Sequence, residues 1–190
     1  MSVLHVYNST HKRSFPAAAD PITDGLVFLT YPHKELHGGK MWHVEDNTAD
    51  LGAETGDLIT IQFTTPAASV GLVHAIFEGF CGAAYTFDLR EAQSGGGGSG
   101  SALTAYNHRR DSTNSHGMSF LKDSVVGTGG TVLFTKYFGA GVGSGTHGGI
   151  QRDNNEWVLK AATLYQVRVY SANANAAYVS MDFYLHADKH

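Results

Sequence analysis

Apolar and polar side chains alternate with a period of two along most of this chain, and this rhythm restricts the fold more than any other feature of the sequence. The clearest alternation lies in five segments: 57–64, 73–78, 85–90, 165–169 and 179–185. By contrast, no stretch of a dozen residues keeps its apolar positions at helical spacing between suitable caps. A period of two with one apolar face is typical of antiparallel sheets that have one face in water.

The whole pattern predicts a sandwich of two sheets. We count about ten candidate strands, separated by turns rich in Gly, Asn, Ser and Thr. Because each sheet has one apolar face, two sheets must bury these faces against each other. The predicted fold class is therefore all-β, a jelly-roll-like antiparallel β-sandwich with an N-terminal arm. The length of 190 residues fits one such domain, and an apolar fraction of 42% is enough for its core.

The first 25 residues differ from the rest of the chain. They are polar, contain Pro16 and Pro21, and include one short alternating piece at 3–7. We predict an N-terminal arm at 1–25, followed by a single β-sandwich domain at 26–190. An arm with strand character either pairs with the sheet edge of a neighbouring molecule or frays as a free terminus. Its candidate contact residues are the apolar ones of the alternating piece: Val3, Leu4, Val6 and Tyr7.

Two glycine-rich segments interrupt the strand pattern, at 94–101 and at 139–149. Each is predicted to be a flexible loop between two strands. Long loops at the end of a sandwich are either binding loops or surface tips that tolerate disorder. Composition alone does not separate these two alternatives.

Charge and cysteine content limit the classes of partner. The chain has 13 Lys and Arg residues, scattered rather than clustered, and a formal net charge of −4. Phosphate binding needs clustered basic residues, so nucleic acid is not expected as a partner. The single cysteine, Cys81, has an apolar setting and is expected to be a buried, inert thiol.

The sequence also shows no membrane or export signal. No apolar run approaches the length of a membrane span, and the N-terminus lacks the positive-then-apolar pattern of a secretion signal. We therefore expect no membrane partner and synthesis in a reducing cytoplasm. The final location differs from the place of synthesis if the chain joins an assembly that leaves the cell.

Histidines at 33, 37 and 43 are the obvious candidates for metal binding. Zinc needs three or four ligands that converge at about 2 Å. On a strand, His33 and His37 would share a face but stand roughly 13 Å apart, which is too far to share an ion. Only a turn near Pro32 would bring them together. We therefore expect surface or hydrogen-bonded histidines and no metal site.

No catalytic motif is recognisable in the sequence. Segment 143–148 matches G-x-G-x-x-G, but no amphipathic helix follows it, so dinucleotide binding is not predicted. There is no P-loop, no G-x-S-x-G elbow and no local context for a cysteine nucleophile. Four carboxylates are expected mostly on wet strand faces: Glu78, Asp88, Glu91 and Asp182. We therefore expect a protein that is not an enzyme and needs no cofactor.

Each of the two tryptophans has a structural and a functional interpretation. Trp42 and Trp157 lie in or beside predicted strands, where an aromatic ring usually packs in the core. The functional alternative is a platform on which a sugar ring stacks. Because the neighbours of Trp42 are polar or flexible, Trp42 is the candidate glycan contact.

Three segments together resemble a family of tailed-phage virion proteins known as head decoration, cement or head-fibre components. The first is 31–43, YPHKELHGGKMWH. Family members have a His at this place, then, a few residues later, a His or Glu and a Gly, and then an aromatic residue. The second is 103–112, LTAYNHRRDS, which is similar to L-x-x-Y-N-R-N-R-N-S. The third is 156–184, whose start EWVLKAATLYQVRV is similar to E-W-I-L-K-P-x-T-x-Y-x-x-R-V.

The order of the three segments is the strongest part of this resemblance, which spans residues 31–184. The chain departs from the family pattern at Ala161, where proline is common, and at His108, where arginine is common. It also has Gly38-Gly39 in place of Glu-Gly. These departures leave the implied fold intact and weaken only the case for a shared surface.

The resemblance implies a virion structural protein that binds the outer capsid surface as a decoration or cement protein and stabilises the capsid. The implied partners are the major capsid protein and further copies of this chain, in a homo-oligomer such as a homotrimer. The implied location is the capsid exterior of the virion, and the four arm residues named above are the candidate capsid contacts. Self-association would multiply weak contacts by avidity, and clamped capsomers would resist the pressure of packaged DNA.

Three functions other than capsid decoration are also compatible with the sequence. The first is a receptor- or glycan-binding module of a head fibre or tail, which would use Trp42 and the two glycine-rich loops. The second is a polysaccharide hydrolase, which would need two carboxylates that converge in a pocket. The third is an internal scaffold or a portal-associated protein.

Overall fold

The structure is a computed structural model. It describes the following residues: 5–8, 13–16, 31–54, 58–92, 100–122, 129–139, 156–173 and 175–186. The chain divides into two compact units, residues 1–34 and residues 35–190. The division therefore lies after residue 34, whereas the sequence pattern places it after residue 25.

The first unit contains a β-hairpin. Strand β1 (His5–Asn8) pairs antiparallel with strand β2 (Arg13–Pro16), so its pairing partner lies in the same chain. The candidate contact residues Val6 and Tyr7 belong to β1. The other two, Val3 and Leu4, lie outside the described residues.

A seven-residue helix, α1 (Tyr31–His37), precedes the first strand of the second unit. Pro32 lies in its first turn, where a missing N–H costs no hydrogen bond. Gly39 ends the helix at φ +65°, and a Schellman pair of backbone hydrogen bonds, at 3.0 and 2.8 Å, closes its last turn. The separation of roughly 13 Å that a strand would give His33 and His37 does not apply, because both residues belong to a helix that these two signals bound. No helix in the described ranges combines the length and the apolar character that crossing a membrane requires.

The second unit is a sandwich of two antiparallel sheets, whose strands we number in chain order. The five-stranded sheet has this spatial order: β11 (Trp157–Leu159), β5 (Leu72–Cys81), β13 (Ala177–His186), β3 (Met41–Thr48) and β8 (Tyr106–Asn107). The six-stranded sheet has this order: β10 (Thr131–Phe138), β6 (Tyr85–Glu91), β12 (Leu164–Tyr170), β4 (Leu58–Thr64), β9 (Phe120–Lys122) and β7 (Ser101–Leu103). A short 3₁₀ turn (Leu51–Ala53) follows β3.

The apolar positions of the alternating segments face the core, as the sequence predicts. The five segments with the clearest alternation coincide with β4, β5, β6, β12 and β13. On β4, for example, Ile59, Ile61 and Phe63 all face the core and are at most 2% exposed. The predicted all-β sandwich is therefore confirmed. The expectation that the alternate polar positions lie in water is wrong for β4 and β12, because Thr60, Gln62, Gln166 and Arg168 are also buried.

Aromatic rings fill the space between the sheets. Phe63 stacks on Phe77 and on Tyr165 at ring-centroid distances of 6.2 and 5.6 Å. Each large apolar side chain that is fully buried stabilises the fold by roughly 1.5–3 kcal/mol, and each well-placed ring pair adds about 0.5–1.5 kcal/mol. Cys81 lies in the same core and is buried, as its apolar setting predicts.

The chain passes from one sheet to the other between most consecutive strands. Strands β3, β5, β11 and β13 belong to the five-stranded sheet, whereas β4, β6, β10 and β12 belong to the six-stranded sheet. As a result, each sheet is assembled from strands that are distant in sequence. Strand β13 pairs with both β3 and β5, and β12 pairs with both β4 and β6.

Candidate functional site

The outer face of the five-stranded sheet carries two clusters in which histidine contacts carboxylate. Strand periodicity places the first of them there. His43 lies between the buried residues Trp42 and Val44 on β3, so its side chain must point away from the core. Asp182 alternates in the same way on β13, and the strand register places it directly opposite His43.

His43, His108 and Asp182 converge in what we call the histidine–aspartate cluster. Asp182 Oδ1 is 2.7 Å from His43 Nδ1 and 3.1 Å from His108 Nε2. The other ring nitrogen of His43, Nε2, lies 3.3 Å from Glu45 Oε2. The side chains of His43, His108 and Asp182 are 34%, 27% and 21% exposed, so the cluster is open to solvent.

Charge and hydrogen bonding set the protonation of this cluster. The hydrogen bond to Asp182 raises the pKa of His43, burial opposes that rise, and Glu45 reinforces it. For Asp182, burial acts to raise the pKa, but the hydrogen bonds and charges of His43 and His108 outweigh it and lower the pKa. Asp182 is therefore an anion that accepts from two imidazoles, with a second carboxylate beside them.

His108 is held in place by the segment that follows β8. Its backbone N–H donates to Met41 O at 2.9 Å, beside the pairing of β8 with β3. The side-chain amide of Asn107 donates to Gly39 O at 2.7 Å, at the end of α1. Because carbonyl groups at a helix C-terminus lack partners within the helix, side-chain donors there stabilise both the helix end and the segment that supplies them.

Gly39 is the point at which this polar network meets. Its carbonyl oxygen also accepts from Ser112 Oγ at 3.2 Å and from Asn114 Nδ2 at 3.0 Å. Arg109 Nη1 donates to the carbonyl oxygen of His37, two residues before Gly39, at 2.8 Å. A Cβ atom on Gly39 would lie only 2.3 Å from Ser112 Oγ, so both the close approach and the positive φ require glycine.

A second group, the histidine–tyrosine cluster (His74, Glu156 and Tyr184), occupies the same face of the sheet. His74 Nδ1 is 2.6 Å from Glu156 Oε1, and the Tyr184 hydroxyl donates to the same oxygen at 2.5 Å. The rings of His74 and Tyr184 stack with centroids 4.7 Å apart, and the His186 ring meets His74 edge-on at 5.5 Å. In this cluster the carboxylate of Glu156 contacts one imidazole and one phenol. In the histidine–aspartate cluster the carboxylate of Asp182 contacts two imidazoles.

Trp42 does not fit the role of a sugar-stacking residue. It is 3% exposed, its ring stacks on Phe183 at 5.6 Å, and it meets the His116 ring edge-on at 5.7 Å. The interpretation of Trp42 as a surface contact is wrong, because the residues beside it in the chain point to the opposite face of the strand. Trp157 is half-buried and packs near Phe134 at 6.0 Å.

Two of the four carboxylates expected on wet faces are buried instead. Asp88 is 1% exposed and forms an ion pair with Arg168. Glu91 is 7% exposed and accepts from Lys160 Nζ at 2.6 Å and from Tyr165 Oη at 2.8 Å. The hydrogen bond from Lys160 lowers the pKa of Glu91, although burial acts against it. Glu91 has the same strand parity as the core residues Phe87 and Leu89, so alternation in fact points it inward. Asp88 has the opposite parity, and alternation does not reveal its partner Arg168 on the neighbouring strand.

Other sequence candidates fall outside the part of the chain that the structure describes. They include most of the two glycine-rich segments and the whole G-x-G-x-x-G match at 143–148. Val3 and Leu4 also lie outside it, whereas Val6 and Tyr7 are described only as part of the backbone of β1.

The three segments that carry the resemblance to phage virion proteins meet at the histidine–aspartate cluster. His43 ends the first segment, His108 lies in the second, and Asp182 lies near the end of the third. No protein-family model matches this chain, and neither does any curated protein or solved structure. Its function must therefore be inferred from the geometry and from that resemblance.

Proposed function

We propose that this chain is a structural protein of tailed-phage virions that binds the outer capsid surface as a decoration or cement protein and stabilises it. Strand order is the observation that carries the proposal. If β3–β6 and β10–β13 are counted as strands one to eight, the sheets have the orders 6-3-8-1 and 5-4-7-2. These orders support a jelly roll, an architecture that recurs in viral capsid domains.

A glycan-binding role is the main rival, because jelly rolls also occur in lectins. The burial of Trp42 favours decoration over this rival, since the aromatic platform expected from the sequence is part of the core. The meeting of the three resembling segments around Gly39 and His108 is a further support. The residues of the three motifs hydrogen-bond the end of α1, the segment after β8 and strand β13 to one another.

The proposed capsid contact lies in the N-terminal unit. Its candidate residues remain Val3, Leu4, Val6 and Tyr7, two of which belong to β1. A strand in a hairpin can extend the sheet of a neighbouring molecule by backbone hydrogen bonds, and alternate side chains then fill pockets beside it. An apolar strand edge in this unit would supply such a contact without a large interface.

The proposed self-association surface is the edge strand β10. Within the described residues, β10 pairs with β6 on one side and with no strand on the other. Tyr137 on this strand is 80% exposed, so a large aromatic side chain lies open to solvent beside the unpaired edge. A register shift between Val132 and Phe134 interrupts the edge, so pairing with a second copy would use the half that follows it.

Binding to undecorated capsids tests the proposal directly. Purified protein is mixed with capsids that lack it, bound protein is measured by co-sedimentation, and capsid rupture is followed by dye access to DNA on heating. We expect saturable binding and a higher rupture temperature. In a variant with Val3, Leu4, Val6 and Tyr7 all replaced by serine, binding should be lost. No binding and no shift with the unaltered chain would reject the proposal.

A matched pair of tyrosine variants tests the self-association surface. Tyr137→Lys places a charge on the edge of β10, whereas Tyr106→Lys places one on β8, where Tyr106 is 55% exposed. Sedimentation velocity should show that Tyr137→Lys lowers the oligomeric state and that Tyr106→Lys leaves it unchanged. Equal effects of the two substitutions would exclude β10 as the interface.

A further inference from the structure

We propose that the histidine–aspartate cluster is a zinc site with three protein ligands: His43 Nδ1, His108 Nε2 and a carboxylate oxygen of Asp182. All of these ligand atoms lie within 4.8 Å of one another, and no other group of three His, Cys, Asp or Glu in the described residues comes as close together. Two imidazoles and a carboxylate are the ligand set of a borderline cation such as Zn²⁺.

The distances fit an ion between these three side chains. Zn²⁺ binds nitrogen and oxygen at about 2.0–2.2 Å, so ligand atoms at tetrahedral angles lie roughly 3.3 Å apart. The observed separations from Asp182 Oδ1 are 2.7 Å to His43 and 3.1 Å to His108. The ligand atoms of the two histidines lie within 4.8 Å of each other, so side-chain movements of up to roughly 1.5 Å would admit the ion.

Glu45 gives an independent indication of a ligand site. Its Oε2 lies 3.3 Å from His43 Nε2, the ring nitrogen that would not bind the metal. Histidines that bind metal usually donate their other N–H to a carboxylate or a carbonyl, which fixes the tautomer and raises ligand basicity. Glu45 is positioned to do this for His43, and its charge adds to that of Asp182.

The backbone supplies the ligands from two paired strands and from the segment that follows a third. His43 and Asp182 face each other in the paired strands β3 and β13, and His108 follows β8 with its N–H bonded to Met41 O at 2.9 Å. All three side chains remain partly exposed, so an ion can enter and a fourth coordination position faces solvent. An open fourth position suits water or a group from another molecule.

Calorimetric titration of the chelator-treated 190-residue chain with zinc chloride tests the site. We expect one zinc ion per chain at this site and a higher melting temperature in its presence. His108→Gln removes a ligand but keeps a polar side chain, and should weaken zinc binding by at least about 10-fold. Glu45→Gln should weaken it by about 10–100-fold through the orientation of His43.

The matched control is His74→Gln, which alters the histidine–tyrosine cluster on the same face of the sheet. It should leave zinc affinity and stoichiometry unchanged, and melting without zinc establishes that each variant is folded. If His108→Gln fails to fold, Asp182→Asn takes its place in the comparison. An unaltered chain that neither releases heat with zinc nor melts higher would overturn the proposal. Equal loss of zinc binding in His108→Gln and His74→Gln would also overturn it.

Discussion

Arg168 and Asp88 form a two-bond ion pair across the neighbouring strands β12 and β6, on the side of the six-stranded sheet that faces away from the sandwich core. Arg168 Nε donates to Asp88 Oδ1 at 2.6 Å, and Arg168 Nη2 donates to Asp88 Oδ2. The two residues are only 6% and 1% exposed, and the strand register places them directly opposite each other. A pair so poorly exposed to water is sensitive to the loss of either partner, because the remaining charge stays buried.

Removal of one partner of this pair should therefore destabilise the fold strongly. We expect Arg168→Met and Asp88→Leu each to lower the free energy of unfolding by about 3–5 kcal/mol. The double substitution should be less damaging than the sum of the two, since it leaves no unpaired charge. Urea unfolding of all four chains measures the coupling between the two sites. Single substitutions that cost under about 1 kcal/mol would contradict the importance of the buried pair.

Gly39 offers a sharp test of the network that positions His108. In Gly39→Ala, the new Cβ would lie 2.3 Å from Ser112 Oγ at a φ of +65°, so we expect a loss of roughly 2–5 kcal/mol in unfolding free energy. Gly117→Ala is the control, because Gly117 has φ +63° but nothing within 4 Å of an added Cβ. It should lose only the backbone term of roughly 1–2 kcal/mol.

Ser112→Gly distinguishes two causes of the expected destabilisation in Gly39→Ala: the close contact of the new Cβ with Ser112, and the backbone strain at positive φ. Combined with Gly39→Ala, it removes the atoms that the new methyl group meets, so the double variant should recover most of the difference from Gly117→Ala. Denaturant midpoints of the single and double variants give the coupling. No recovery in the double variant would show that strain at Gly39, and not contact with Ser112, dominates.

The five strands with clear alternation were predictable from the sequence, because each of them shows its core-facing side in its own residues. The strands of two or three residues, such as β8 and β9, carry no such signal. Ile59, Ile61 and Phe63 are enough to locate β4, and the same holds for the other long alternating strands. Helix α1 was missed, because seven residues are too few for a helical period and only Pro32 and Gly39 mark its ends. Strand order was not derivable from alternation, since pairing depends on partners far away in the chain.

The candidate site was not predictable from the sequence for the same reason, since its residues are distant in the chain. Alternation correctly turns His43 and Asp182 away from the core, but the two are 139 residues apart, and His108 is 74 residues from Asp182. Only the register of β3 with β13 and the path after β8 bring the three together. Local spacing directed attention to His33 and His37, which belong to a helix outside this cluster.

Trp42 should behave as a core residue. We expect Trp42→Ala to lower the free energy of unfolding by about 3–5 kcal/mol, because it opens a cavity beside Phe183. Trp157→Ala should cost less, since Trp157 is only half-buried. Urea unfolding measures both values. A Trp42→Ala chain of unchanged stability that loses binding on a glycan array would restore the sugar-contact interpretation.

His116 should make stability depend on pH in a predictable direction. Its ring packs between the aromatic residues Trp42, Phe120 and Phe183, and its Nδ1 accepts from the Met118 backbone N–H at 3.0 Å. Burial lowers the pKa of His116 from its ordinary value of 6.5, so the unfolded chain takes up a proton before the folded chain does. Above pH 6.5 both states are neutral at this site, and it contributes no pH dependence.

As the pH falls through 6.5 toward the lower folded-state pKa, stability should therefore decrease. Glutamine at this position has no titratable group and can still accept from the Met118 N–H. We expect the stability difference between the unaltered chain and His116→Gln to be constant at higher pH and to shift in favour of the variant at lower pH. Urea unfolding at several pH values between about 5 and 8 measures this difference. A difference that stays flat across that range would show that His116 is protonated equally readily in both states.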